Sequence, residues 1–185
     1  MDINLKNIVN TYIEAEQEKL GILSNLVKNY KKGFDYKKIN IKKDLRLPLD
    51  IANLKQVIYY FEIENIDNDF AHLICESIEH QKARKNNIYK LPKVNIKNIQ
   101  DNNKILYVGK SFGRFEKRLS QHLGLASKKV YALHLNQWSE WIKKDITLKL
   151  YYFSFEENNI TDETLEMFES AMHYQFKPIL GRSGH

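Results

Sequence analysis

The chain has 185 residues, a formal charge of +6 and a pI near 9.2; 43% of it is hydrophobic, with 11 Tyr and 9 Phe, enough for a packed core. That length suits one domain with an extra lobe rather than two full domains. A single cysteine, Cys75, excludes an internal disulfide framework and fits a reducing compartment, and no zinc pattern is read. The opening MDINLKNIVN has no apolar signal core and no run approaches membrane-spanning length, so a soluble cytoplasmic protein without membrane contact is expected. Charge is unevenly placed. Residues 104–150 hold ten Lys and Arg against three acids, a local +7, while residues 151–185 hold two against six, a local −4. The basic stretch suits a polyanion, and the acidic one a metal or a solvated face.

In chain order, residues 3–30 read as a helix on the spacing of Leu5, Ile8, Val9, Tyr12 and Ile13, continued by Leu20, Leu23 and Val27, with Gly21 a place where it can break. Lys28 to Lys43 carry seven lysines against Asp35 alone, with Tyr30, Phe34 and Tyr36 interleaved. Such a segment is equally a backbone-tracking, base-stacking strip or an exposed lysine-rich connection. Leu47-Pro48-Leu49-Asp50 reads as a turn. Gln56–Ile63 is β-branched and aromatic, hence a strand. Tyr59 and Tyr60 then point to opposite faces, so one of them alone can enter a site. Phe70, Leu73, Ile74 and Ile78 space a helix over about 69–84, ending at Lys85-Asn86-Asn87, and 88–103 reads as loop with room for a short strand.

Ile105–Val108 is strand-like, and Gly109 turns the chain into a basic loop and a helix closed by Gly124. On that helix Arg118 and His122 are four apart and share a face. Lys128–Trp141 is apolar enough to pack, but its period does not separate strand from helix; His134 within it is structural or substrate-proximal. Leu148–Phe155 alternates and reads as a third strand. Thr161 or Asp162 caps a helix to about Phe176, with Leu165, Phe168, Met172 and Phe176 as its stripe, running into Lys177-Pro178.

Tyr107-Val108-Gly109-Lys110, followed by Arg118-Leu119 and His122, resembles the second half of the GIY-YIG nuclease signature. Val57-Ile58-Tyr59 is similar to its Gly-Ile-Tyr strand, with Val in place of Gly, which matches Tyr59 and leaves Tyr60 as a one-residue alternative. Glu169 lies nine residues before Pro178, the separation of the family's Glu-bearing helix from its Lys-Pro turn, and Glu166 is one turn away. Many family members carry an Asn after Lys-Pro, near where this chain has Gly181. The resemblance covers roughly 56–184. It implies an α+β domain over 51–185, a small, mostly antiparallel three-stranded sheet flanked by helices. An insertion at about 64–103 would separate the first two strands, and 1–50 would form a helical, lysine-rich extension.

The activity implied is magnesium-dependent (or manganese-dependent) endonucleolytic hydrolysis of DNA, with RNA left open. The resemblance makes Tyr59, Tyr107, Arg118, His122 and Glu169 catalytic. One carboxylate suffices as protein ligand for magnesium, because phosphate and water fill the remaining positions; Glu169 takes that role. Arg118 would fork onto phosphate oxygens, Tyr59 would hold or accept a proton from water, and Tyr107 would orient water or phosphate. His122 would relay a proton or hold Tyr59, and Lys110, Arg114 and Lys117 would contact substrate phosphates. Two rivals share the fold: a module that holds nucleic acid without cutting, and an interaction subunit whose N-terminal helix docks on a protein partner or a second copy.

Overall fold

The computed structural model describes residues 5–29, 33–41, 45–64, 68–99, 103–156 and 160–182. The chain divides into two compact units, Met1–Gly33 and Phe34–His185. In the first, α1 (Leu5–Asn29) is one continuous helix of 25 residues that passes through Gly21 without a break. Its apolar residues Leu5, Tyr12 and Leu20 are all exposed.

The second unit runs β1 (Asp35–Asn40), α2 (Leu49–Ala52), β2 (Val57–Ile63), α3 (Asn68–Ala83), β3 (Ile105–Ser111), α4 (Phe115–Leu123), α5 (Leu135–Trp138), β4 (Thr147–Ser154) and α6 (Asp162–Phe176). The strands form an antiparallel sheet in the order β1-β4-β2-β3. The α+β class matches expectation; the strand count does not. Among the described residues the sheet has four strands rather than three, because β1 arises from the lysine-rich stretch. In its sequence, DYKKIN, the one fully buried side chain is Ile39, so no apolar alternation marks it. An edge strand tolerates that, and charge there discourages pairing with other chains. Lys37 pairs with Asp50, and Lys38 with Glu64. Tyr30, Lys31, Lys32, Lys42 and Lys43 of that stretch lie outside the described residues.

Alternation on β2 sorts the two layers. Val57, Tyr59, Phe61 and Ile63 are buried on one face in a single core with Ile74 and Ile78 of α3, Phe115 and Leu119 of α4, and Trp138 of α5. Each such large side chain contributes roughly 1.5–3 kcal/mol by leaving water. On the other face Tyr60 stacks on Tyr151 (4.6 Å) and meets Phe176 of α6 edge-on (5.1 Å). A one-residue slip of β2 would exchange Tyr59 for Tyr60 and expose the core row, so the register is strongly held.

Residues 64–103 join two directly paired strands. Besides α3 they supply a 3-10 turn at Ile96–Asn98 and one isolated bridge, Val94 to Leu180. Three asparagines from this connection secure the end of α6, where Lys177 takes a left-handed conformation (φ 47°). Asn95 Nδ2 donates to the carbonyls of Pro178 (3.2 Å) and Gly181 (2.9 Å), Asn98 Nδ2 to Pro178 (2.9 Å), and Asn103 Nδ2 to Lys177 (2.9 Å). Ile179 and Leu180 then hydrogen-bond the carbonyls of Ile105 and Leu106, which covers the outer edge of β3. Among the described residues no helix is long and apolar enough to cross a membrane.

Candidate active site

The site begins with a register. Tyr59 of β2 lies opposite Gly109 of β3, and Phe61 opposite Tyr107. Tyr59 and Tyr107 therefore share a face, and the missing side chain at 109 leaves room for the Tyr59 ring to reach across β3. A Cβ at Gly109 would fall 2.5 Å from Tyr59 Oη and 2.8 Å from Tyr107 Cε1. On the far edge of the Tyr107 ring a Cβ at Gly181 (φ 103°) would fall 3.0 Å from Cε2. Val57, which stands where the family signature has Gly, is a fully buried core residue.

Above these phenols, α4 is anchored by Phe115, Leu119 and Leu123 and ended by Gly124 at φ 84°. Its spacing aims Arg118 and His122 at the same point. Arg118 Nε donates to Tyr59 Oη (3.2 Å), one terminal nitrogen donates to Tyr107 Oη (3.0 Å), and the other donates to Gln121 Oε1 (3.1 Å) and the Tyr131 carbonyl (2.9 Å). Four of the five guanidinium N–H groups are thus engaged. One is left for a ligand, so a two-pronged grip on phosphate requires one of these partners to let go. Burial works against the Arg118 charge, but Tyr59 and Tyr107 outweigh it and hold the pKa above the ordinary range.

His122 is fully buried, with Nε2 2.7 Å from Tyr59 Oη. The Leu133 amide donates to its Nδ1 (3.1 Å), which must therefore carry a lone pair. In the neutral ring the proton then sits on Nε2 and points at Tyr59. Burial, followed by the nearby Arg118 and His134, keeps the ring neutral, well below the usual imidazole range. Leu133 is itself fixed by the Trp138 indole, which donates to its carbonyl (2.7 Å). Two N–H groups, from His122 and Arg118, converge on Tyr59 Oη. Burial pushes the Tyr59 phenol above its ordinary range against the opposing pull of Arg118. Tyr107 is raised for the same reason.

Glu169 comes from α6, whose first turn is capped by Thr161 accepting from the Thr164 amide (3.2 Å). Its carboxyl is pushed up to about 7 by burial, against Lys110 and Arg118, which pull it down. Its charge is felt at both Tyr59 and Tyr107. Among the described residues it makes no hydrogen bond or ion pair. A half-buried carboxylate without a protein partner, beside phenols and a guanidinium, fits a hard divalent cation that takes its other ligands from water and phosphate. Among the described residues no group of three or more His, Cys, Asp or Glu gathers that could hold a metal.

The substrate residues expected from the sequence divide. Arg114 and Lys117 are exposed at the start of α4, without ion pairs among the described residues, and line a cleft of about 600 Å³ that also reaches Arg118. Lys110 lines it too, but its ammonium is held by Asp162 (2.8 Å) and Glu166 (3.2 Å) of α6. Tyr60 lies on the opposite face of β2, and Glu166 is held by Lys110 (3.2 Å) beside Glu169. His134 bonds the Val130 carbonyl (3.0 Å) and packs on Tyr89, a structural placement. Gln121 is a partner of Arg118 that the sequence reading missed, although its place three residues along the same helix was a signal. The amide of Leu133 and the carbonyl of Tyr131 carry no side-chain signal. No family model, curated protein or solved structure matches this chain.

Proposed function

We propose that the protein is a GIY-YIG-type endonuclease that hydrolyses phosphodiester bonds in DNA with magnesium or manganese held at Glu169. The observation that carries this reading is the convergence of Arg118 Nε–H and His122 Nε2–H on the buried oxygen of Tyr59, with the unpartnered Glu169 close by. Phosphodiester hydrolysis moves one proton from the attacking water and places one on the leaving oxygen, while negative charge grows on the phosphate. Burial keeps Tyr59 neutral at rest; when it ionises, its two N–H donors hold the oxygen, and it takes the water's proton and passes it on to the leaving oxygen. His122 acts here as a fixed donor rather than a relay, since its acceptor nitrogen is already used by Leu133. Arg118 offers its remaining N–H to the phosphate and shields the growing charge. The bound cation would act as a Lewis acid on the phosphate oxygens.

The test is cleavage of supercoiled plasmid with magnesium or with EDTA, comparing wild type with Arg118→Ala and Glu169→Gln. Metal-dependent nicking lost in both variants is the expected result. Cutting that survives both substitutions sinks the assignment. Plasmid binding without cutting by any metal-loaded form would instead favour a module that holds nucleic acid on the same fold.

A further inference from the structure

Arg118 lines two clefts. One is lined by Lys110, Arg114 and Lys117, as above. The other, of about 650 Å³, reaches Tyr107 and Gly181. Its wall comes from the connection between β2 and β3, which supplies Lys82, Tyr89, Lys90 and Lys93; Tyr131 and Arg182 complete it. Among the described residues no carboxylate lines this second cleft. Lys82 is paired with Glu79, whereas Lys93 and Arg182 have no ion pair among the described residues. Two of the cleft's aromatic rings carry an ammonium above them: Lys90 lies 5.4 Å from the Tyr131 ring centre and Lys128 5.4 Å from that of Tyr89. Tyr131 is 66% exposed, so its ring is open to a ligand.

The cleft is built rather than draped. The Lys90 amide donates to the Lys128 carbonyl (3.0 Å), the Ala132 amide donates to the Lys90 carbonyl (3.3 Å), and the Gly181 amide donates to the Lys93 carbonyl (2.8 Å). These bonds fix the wall against both the loop after α4 and the turn after α6. Uncompensated cations track a phosphate backbone, and accessible aromatic faces take bases that are not already stacked in a duplex. From this juxtaposition, and resting on the nuclease reading of the central cluster, we infer that the cleft binds an unpaired nucleic-acid strand. The strand crosses Arg118 between the two clefts, so the connection between β2 and β3 selects substrates with single-stranded character beside the cut.

The test uses the full chain in EDTA, with fluorescence anisotropy on a labelled single-stranded 12-mer and the matching duplex. Wild type should prefer the single strand. Lys90→Glu with Lys93→Glu, both exposed, should weaken that binding roughly tenfold or more and reduce the slope of log K against log salt by about 1.4, at about 0.7 per lost phosphate contact. Tyr131→Ala, whose carbonyl bond to Arg118 is kept, should weaken binding about fivefold or more with the salt slope unchanged. The reversed pair Arg114→Glu with Lys117→Glu reports the other cleft. Preference for duplex, no binding of either form, or unchanged affinity in the Lys90 and Lys93 variant overturns the inference. Plasmid cleavage is read separately: a groove that binds as described in a protein that never cuts would sink the nuclease reading alone. Normal cutting with an inert groove would sink this inference alone.

Discussion

Tyr59 and Gly109 face each other across the β2–β3 ladder, and the tyrosine oxygen lies 2.5 Å from where a side chain at 109 would begin. The glycine is thereby tied to the phenol by space rather than by backbone freedom. Gly109→Ala should drive the Tyr59 ring out of its contacts with Arg118 and His122. Overpacking of this kind costs roughly 1–3 kcal/mol. The expected outcome is a lower unfolding midpoint in urea with far-UV dichroism retained, together with loss of plasmid nicking. An alanine variant that cuts normally would show that Tyr59 need not sit where it does.

His122 should behave as a donor at every pH where the protein is folded. Burial holds its pKa down, so the rate profile should show no limb from this imidazole between about pH 5.5 and 8. His122→Gln can still present an N–H to Tyr59 and should keep part of the activity. His122→Ala leaves the buried phenol oxygen and the Leu133 amide short of partners, a loss of about 1–3 kcal/mol. Equal activity in the two variants would argue that the bond to Tyr59 plays no part.

Glu169 sets a pH dependence of stability whose sign is fixed by its raised pKa. The folded state holds the proton up to about pH 7, whereas an ordinary glutamate loses it near 4.5. Stability is therefore fully present below the ordinary value and declines as pH rises from about 4.5 to about 7. At about 1.36 kcal/mol per pH unit the loss is bounded near 3 kcal/mol, and partial access of solvent brings it to about 1–2 kcal/mol. Glu169→Gln should unfold at a higher temperature than wild type at pH 8 and at the same temperature near pH 4.5. Magnesium should stabilise wild type at pH 8 by about 2.7 kcal/mol at a hundredfold excess over Kd, read as a higher unfolding temperature, and leave Glu169→Gln unmoved.

Asn95 donates to two carbonyls after α6 from a segment far away in sequence. Asn95→Ala should destabilise by roughly 1–3 kcal/mol through those half-buried acceptors. Because Gly181 rests on the Tyr107 ring, the same change should lower nicking more than a matched substitution at exposed Lys97. Parallel urea titrations and nicking assays of the two variants check this.

The elements with strong periods were legible. The stripe of Phe70, Ile74 and Ile78 marked α3, the aliphatic and aromatic run marked β2, and Thr161 marked the start of α6. β1 was hidden because an edge strand buries little, and Ile39 alone among lysines has no period. The central side chains were also legible, since helical spacing put Arg118 beside His122. The partners that decide their chemistry were not: the Leu133 amide that fixes the His122 tautomer and the Tyr131 carbonyl that occupies Arg118 are main-chain atoms. The second cleft was illegible for a related reason. Lys90, Lys93, Tyr131 and Arg182 come from three separate loops, and only the fold brings them together.

The clamp of Asn95, Asn98 and Asn103 on the turn after α6 also sets an order in time. Its bonds span 74 to 86 residues, so loop closure must precede any gain from them. Tyr59, Tyr107, Arg118 and His122 belong to strands and a helix that can pack once residues 57–138 are in place. Glu169, Gly181 and the wall of the second cleft join them only after residues 160–182 have docked. A growing or truncated chain would therefore hold the phenols and the guanidinium with neither the carboxylate nor the cleft. The proposed cation and strand sites would therefore both stay incomplete until residues 160–182 have docked.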